Sequence, residues 1–292
     1  MQDNRFVWGI MDEKNFNMRA MTLAEIQAQE LEILKDFHAF CVEKGLTYSL
    51  YGGTMLGAIR HGGFIPWDDD LDVAMPRQDY EKFVAEYPSD NSFVLHCLER
   101  GNSMLAFSRI CEMSKTWVKQ SLPWCKHETG VYIDVFPLDG APDELAAALR
   151  FGKQLHKKWM CLKLSRVALR KLKNYPSAKM KTNILIRKML FRNPITRNID
   201  WLGRLDRACK QIPFGSTSHF INASFGEYGM KEYQLLEDFK YTVLKSFEGE
   251  MFCVCNGYDR LMRTKYGDYM QLPPEHKRKQ KHGGSKFFWK NS

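Results

Sequence analysis

Four acidic residues, Asp68, Asp69, Asp70 and Asp72, fall within five positions of the stretch YGGTMLGAIRHGGFIPWDDDLDVAMP, residues 51–76. If DLDVAM (70–75) is a strand, Asp70 and Asp72 share a face about 6–7 Å apart along the backbone, with Leu71 and Val73 turned to the core. Two carboxylates held so close repel each other. A hard divalent cation such as Mg²⁺ or Mn²⁺ relieves that repulsion and is commonly held by one or two carboxylates together with substrate phosphates. A third acid, Asp134, is isolated among apolar and aromatic neighbours in GVYIDVFPLDG, residues 130–140. An unpaired buried carboxylate is costly, so a metal or a catalytic partner accounts for it better than an N-cap or a structural ion pair. Asp70, Asp72 and Asp134 are thus the expected catalytic and metal-binding set. Asp68 and Asp69 are expected beside it, as supporting or solvated turn acids, and Asp139, in Pro-Leu-Asp-Gly, as ordinary turn chemistry.

Gly52-Gly53-Thr54 precedes the acids by fewer than 20 residues. Between a strand and a helix, such a turn offers backbone N–H groups and a helix N-terminus to a phosphate. Arg60, His61 and Arg109 are candidate counter-charges for the same phosphates. A phosphate cradle next to a carboxylate pair is the equipment of phosphoryl transfer.

The elements that must hold these residues can be read from periodicity. Thr22-Leu-Ala-Glu25 has the capping-box pattern, and Leu23, Ile26, Leu31, Leu34, Phe37 and Cys41 follow at helical spacing up to Gly45. Residues 46–51 read as a strand, 54–60 as a short helix and 70–75 as a second strand. A helix near 78–87 and strands at 93–98, 105–111, 115–119 and 130–136 complete a mixed α/β (α+β) first half. Beyond Pro142 the pattern turns helical, and a further helix-rich stretch is expected from Ile199. The expected division is a catalytic core over 1–142, a basic helical insertion over 143–199, and a C-terminal part over 200–292 that completes the same domain.

The chain of 292 residues has a formal net charge of +9, and that excess is concentrated. Residues 145–199 contain 15 Lys and Arg and no Asp or Glu; the remaining 28 basic and 34 acidic residues sum to −6. Such a block suits an anionic partner or a solvated helical face. No apolar run reaches the roughly 18 residues that span a bilayer, and the N-terminus lacks the pattern of a signal peptide, so a cytoplasmic location is expected. The eight cysteines are scattered, with Cys253 and Cys255 lacking a second pair at zinc-ligand spacing, and are expected as free thiols, mostly buried.

The order Gly-Gly-Thr, Asp-x-Asp, then a lone Asp on a later strand resembles the nucleotidyltransferase superfamily of the DNA polymerase β type. The fuller string from Tyr51 to Phe83, with GVYIDVFPLDG and the late YGDYMQLPPEHKRKQKH, resembles the LicD/fukutin family of phosphotransferases. The resemblance implies a polymerase-β-type mixed sheet and transfer of a phospho-alcohol, typically phosphocholine from CDP-choline, to a hydroxyl of a cell-surface glycan precursor. It assigns Gly52, Gly53 and Thr54 to the nucleotide-side turn, and Asp70, Asp72 and Asp134 to Mg²⁺ or Mn²⁺. Tyr266 and Asp268 belong to its late YGD motif, as packing or donor contacts. FCVCNGYDRLM departs from the family pattern before the final helix. Lipid-linked glycan acceptors would give the basic 145–199 segment a purpose at the inner membrane face, with Trp159, Leu162, Leu164 and Leu169 resting on anionic lipid. The rival enzyme is a nucleotidyltransferase that adds NMP to a small molecule, protein or RNA and releases pyrophosphate. A basic nucleic-acid-binding protein would explain the charge but leave the three acids without a use, so no nucleic-acid partner is expected.

Overall fold

In the computed structural model, residues 18–88, 93–103, 105–119, 129–166, 177–190, 199–222, 229–279 and 285–290 are described. After strand β1 (Arg19–Ala20), helix α1 (Leu23–Lys44) opens with the expected capping box, Thr22 Oγ1 accepting from Glu25 N and Glu25 accepting from Thr22 N, and ends on Gly45 in the left-handed region. Its apolar face, Ile26, Ile33, Leu34, Phe37 and Cys41, is buried. Each of those side chains removed from water contributes about 1.5–3 kcal/mol.

Strand β2 (Ser49–Leu50) leads directly into α2 (Gly52–His61), and β3 (Asp72–Pro76) into α3 (Arg77–Glu86). Strands β4 (Phe93–His96), β5 (Ser108–Glu112), β6 (Thr116–Lys119) and β7 (Val131–Ala141) follow. The central sheet has the order β2-β3-β7-β5-β4. Among the described strand pairs of this sheet only β3 and β7 run parallel, so the sheet is mixed. Helices α1 and α3 pack against it. Val73, Val135, Ile133, Ile110 and Leu95 are fully buried in one core. The fold is α+β, as expected.

Several boundaries differ from the sequence reading. β3 begins at Asp72, so Asp70 and Leu71 precede it, although the Leu71 carbonyl still accepts from Asp134 N at 2.9 Å. β7 continues through Pro137-Leu-Asp-Gly to Ala141. Asp139 is therefore not in a turn: it is a buried strand residue in a bidentate pair with Arg77, at 2.7 and 2.5 Å.

Helices α4 (Leu145–Arg166) and α5 (Ala178–Leu190) form the described part of the basic segment, followed by α6 (Trp201–Cys209). α4 lays Phe151, Leu155 and Leu162 against Leu202 and Leu205 of α6 in a second core. This corrects the lipid-facing expectation: Leu162 and Leu164 are buried, and Trp159 packs on that core. Leu169 lies outside the described residues. Among the described residues of the segment, the exposed large apolar side chains are Leu145, Leu149, Leu185, Ile186 and Met189.

After α6 the chain is richer in strands than periodicity suggested. β8 (His219–Asn222) joins the far half of β7, and β9 (Gln234–Leu235) pairs with β8. β10 (Thr242–Phe247) and β11 (Glu250–Cys255) form a hairpin around Glu248-Gly249. Its tip holds the loop after α2: Glu248 N donates to Gly62 O, and Phe64 N donates to the Glu248 carboxylate, each at 2.9 Å. Helix α7 (Tyr258–Tyr266) and β12 (Lys286–Trp289), which pairs with both β1 and β6, follow. The described cysteines are free, and most are buried. No helix among the described residues is long and apolar enough to cross a membrane.

Candidate active site

Cross-strand register puts Asp72 of β3 opposite Asp134 of β7, and Asp134 opposite Arg109 of β5. Directly opposed residues project from the same face of a sheet, so these three side chains form one row across three strands. Along β7 the alternation is regular: Val131, Ile133 and Val135 are buried, while Tyr132 and Asp134 are partly exposed. Arg109 donates to both oxygens of Asp134, at 2.6 Å to Oδ1 and 3.3 Å to Oδ2. Its guanidinium also covers the Tyr132 ring, 3.8 Å from the centroid, which fixes the side chain on a third side.

The glycine turn lies against this row. Gly52 has φ +54°, and a Cβ there would stand 2.8 Å from Asp72 Oδ2; a Cβ on Gly53 would stand 2.6 Å from Asp68 Oδ2. Both glycines are therefore required by the close approach of carboxylates, and the first also by its backbone conformation. Thr54 Oγ1 accepts from Asp72 N at 2.8 Å, and Tyr51 N donates to Asp72 O at 2.9 Å. The start of α2 and the start of β3 are thereby fastened to each other, with Asp72 at the junction.

Asp68 and Asp69 are 6% and 4% exposed, so the solvated-turn reading of them is wrong. Burial, then the charges of Asp70, Asp134 and Asp68, push the Asp72 carboxyl well above its ordinary range, with Lys265 opposing the rise. Glu30 of α1 is 1% exposed, and burial followed by the charges of Asp70, Asp69, Asp68 and Asp72 raises it strongly too. One Glu30 oxygen, Oε2, has no hydrogen-bond partner in the fold.

A second buried group adjoins the turn. Tyr51, the N-cap residue of α2, donates its hydroxyl to Glu232 Oε2 at 2.7 Å. Lys265 Nζ lies 2.9 Å from Glu232 Oε1 and 4.0 Å from the centre of the Tyr51 ring. Tyr266 is 41% exposed as a residue, yet burial and then the charges of Asp72, Glu232, Asp68 and Asp70 raise its hydroxyl.

The other expected residues are placed differently. Arg60 and His61 sit at the opposite end of α2, about 13 Å along its axis from Gly52. Arg60 donates to the carbonyl of Tyr269 at 2.7 Å and to His61 at 3.0 Å, so it ties α2 to the segment after α7. Asp268 is exposed, and its charge acts on Arg263. His282, the last residue of the late YGDYMQLPPEHKRKQKH string, lies outside the described residues.

The acids match a divalent cation in kind: they are hard oxygen donors, and burial together with their mutual repulsion has lifted Asp72. Among the described residues, however, no three His, Cys, Asp or Glu side chains are grouped closely enough to hold a metal ion as they stand. Asp70 and Asp72 are the pair that could receive one, whereas Asp134 is committed to Arg109 in this conformation.

Glu30, Glu232 and Lys265 were not expected at the site. Glu30 carried a signal, because it falls on the apolar stripe of α1, four residues after Ile26 and four before Leu34. Glu232 and Lys265 carried none.

Residues 45–181 match the family model described as LicD/FKTN/FKRP, nucleotidyltransferase domain. Over 281 residues the chain is 33% identical to the lipopolysaccharide cholinephosphotransferase LicD of Haemophilus influenzae, covering 91% of this chain and 97% of that protein. An uncharacterized protein of Rickettsia typhi is 33% identical over 82 residues, 28% of this chain and 26% of its own length.

Proposed function

Because the chain belongs to the LicD/FKTN/FKRP family, we propose that it transfers phosphocholine from CDP-choline to a hydroxyl of a cell-surface glycan precursor such as lipopolysaccharide. The observation that carries this reading is the near full-length similarity to the Haemophilus enzyme, together with the Asp72–Asp134 row inside the matched region. In the reaction, the acceptor oxygen forms a bond to the β-phosphorus as the bond from that phosphorus to the bridging oxygen breaks. CMP leaves with the bridging oxygen, and the acceptor's proton is released. Mg²⁺ or Mn²⁺ at Asp70 and Asp72 would supply neutralising charge to the phosphoryl oxygens.

The chain's own residues do the remaining work. Gly52 and Gly53 let the turn lie against the Asp72 and Asp68 carboxylates without a Cβ in the way, and Thr54 fixes Asp72 through the Asp72 backbone N–H. Asp134 receives the acceptor's proton at Oδ2, the oxygen more loosely held by Arg109. Arg109 keeps that carboxylate in one orientation, a positioning role characteristic of phosphoryl transfer.

A lipid-linked acceptor would bring the reaction to the inner face of a membrane. Exposed Leu185, Ile186 and Met189 on α5, within a stretch of sequence free of acids, give that contact apolar and electrostatic components. Weak binding that is indifferent to anionic lipid and to salt, in vesicle co-sedimentation, would remove this part.

The deciding experiment measures CMP release from CDP-choline, CDP-ethanolamine, CDP-glycerol and CDP-ribitol, with Mg²⁺ or Mn²⁺ and a glycan extract. Metal-dependent CMP from CDP-choline is expected. Pyrophosphate from nucleoside triphosphates, with no CMP from any donor, would favour nucleotidyl transfer instead.

A further inference from the structure

We propose that Lys265 binds a phosphate oxygen of the donor, held for that task by Glu232 and Tyr51; the proposal rests on the phosphotransferase reading above. The Lys265 and Glu232 side chains are 8% and 6% exposed, so the ion pair is buried on both sides. Taking two charges out of water is seldom recovered by their attraction alone, and such a pair is poor equipment for stability. An ammonium has three N–H donors. Glu232 Oε1 lies 2.9 Å from Nζ as its ion-pair partner, and the face of Tyr51 lies against Nζ at 4.0 Å.

The location gives the charge a use. Tyr51 is the residue from which α2 starts, and Lys265, packed on its ring, is near enough to the turn's acids for its charge to oppose the rise of Asp72. That turn offers N–H groups to a phosphate but is crowded by the Asp68 and Asp72 carboxylates, which repel one. A fixed cation next to the turn offsets the repulsion. Of the neighbouring cations, Arg109 is engaged by Asp134 and Arg60 by backbone carbonyls at the far end of α2. Lys265 is instead anchored by a carboxylate outside the acid row, and the Tyr51 hydroxyl orients that carboxylate through its second oxygen.

The test compares wild type, Lys265→Arg, Lys265→Met and the double variant Lys265→Met/Glu232→Gln. Affinities for CDP-choline and for cytidine, CMP release and thermal unfolding are measured on each. Lys265→Met is expected to lose about 10- to 100-fold in CDP-choline affinity, the worth of one charge-assisted hydrogen bond, while cytidine affinity is unchanged. Lys265→Arg should recover part of the loss. The double variant removes the stranded Glu232 charge, so it should regain thermal stability without regaining CDP-choline affinity or turnover. Recovery of affinity and turnover along with stability would overturn the assignment and leave a structural ion pair. Wild type that releases no CMP would overturn the functional reading itself, whereas wild-type turnover with undiminished affinity in Lys265→Met would overturn only the role of Lys265.

Discussion

Asp72 and Asp134 are register partners on adjacent parallel strands, and only one of them, Asp134, is held by an arginine from the next strand. The two acids therefore differ in kind. Asp134 is oriented by Arg109, while Asp72 carries the electrostatic load of its neighbours and is the group a cation would relieve most.

Replacing either acid by asparagine keeps its size. Asp72→Asn and Asp134→Asn are each expected to lower kcat by about 10³-fold or more, the worth of several kcal/mol of transition-state stabilisation. Asp72→Asn should fold at least as stably as wild type, since it removes a repelled charge. Steady-state CMP release and urea denaturation check both statements, and normal turnover in either variant would remove that residue from the mechanism.

The two glycines separate strain from crowding. Gly53→Ala should displace the Asp68 carboxylate, which a Cβ would meet at 2.6 Å, and damage turnover more than stability. Gly52→Ala meets Asp72 and also forces alanine to φ +54°, adding a backbone cost of about 1–2 kcal/mol. Denaturation midpoints of the two variants, measured side by side, should therefore rank Gly52→Ala as the less stable.

Arg77 and Asp139 form a buried bidentate pair, with Asp206 3.2 Å from the same guanidinium. Breaking it with Arg77→Met should cost about 3–5 kcal/mol, because Asp139 is left charged and buried. The folded fraction at low temperature should retain its kcat, in contrast to Asp134→Asn. Loss of kcat per folded molecule would place Arg77 in the chemistry instead.

Glu30 makes stability depend on pH in a definite direction. Its folded-state value lies well above the ordinary 4.5, so the folded protein keeps a proton that the unfolded chain has released. Its favourable contribution is complete below about pH 4.5 and is lost as the pH rises toward the folded value, at 1.36 kcal/mol per pH unit. Asp72 acts in the same sense. Urea midpoints measured between pH 5 and 8 in the presence of a chelator should fall with pH, and fall less steeply in Glu30→Gln. Equal slopes in the two proteins would show that Glu30 is already ionised.

The sequence made some of this legible because local rules applied. The capping box and apolar spacing of α1, the Gly-Gly turn and the alternation around Asp134 are all short-range patterns, and each appears in the fold. Asp139 was misread because Pro-Leu-Asp-Gly is turn chemistry in isolation, and the partner that makes it a strand residue, Arg77, is 62 positions away. The β10–β11 hairpin was hidden by an expectation of helix, and its turn, Glu248-Gly249, lacks the Asn-Gly or Asp-Gly pair that marks a two-residue hairpin most strongly. Lys265 and Glu232 could not be picked out among so many charged residues, since what distinguishes them is burial, and burial follows from the tertiary arrangement.

The hydrogen bond from Tyr51 to Glu232 joins residues 181 positions apart. During synthesis at 5–20 residues per second, Tyr51 and the glycine turn after it are thus made about 10–40 s before Glu232. The α2–β3 junction and the Asp134–Arg109 grip use only the first half of the chain, so they are available to form while the second half is still being translated. The buried Tyr51–Glu232–Lys265 contacts, by contrast, can form only after the second half has been made.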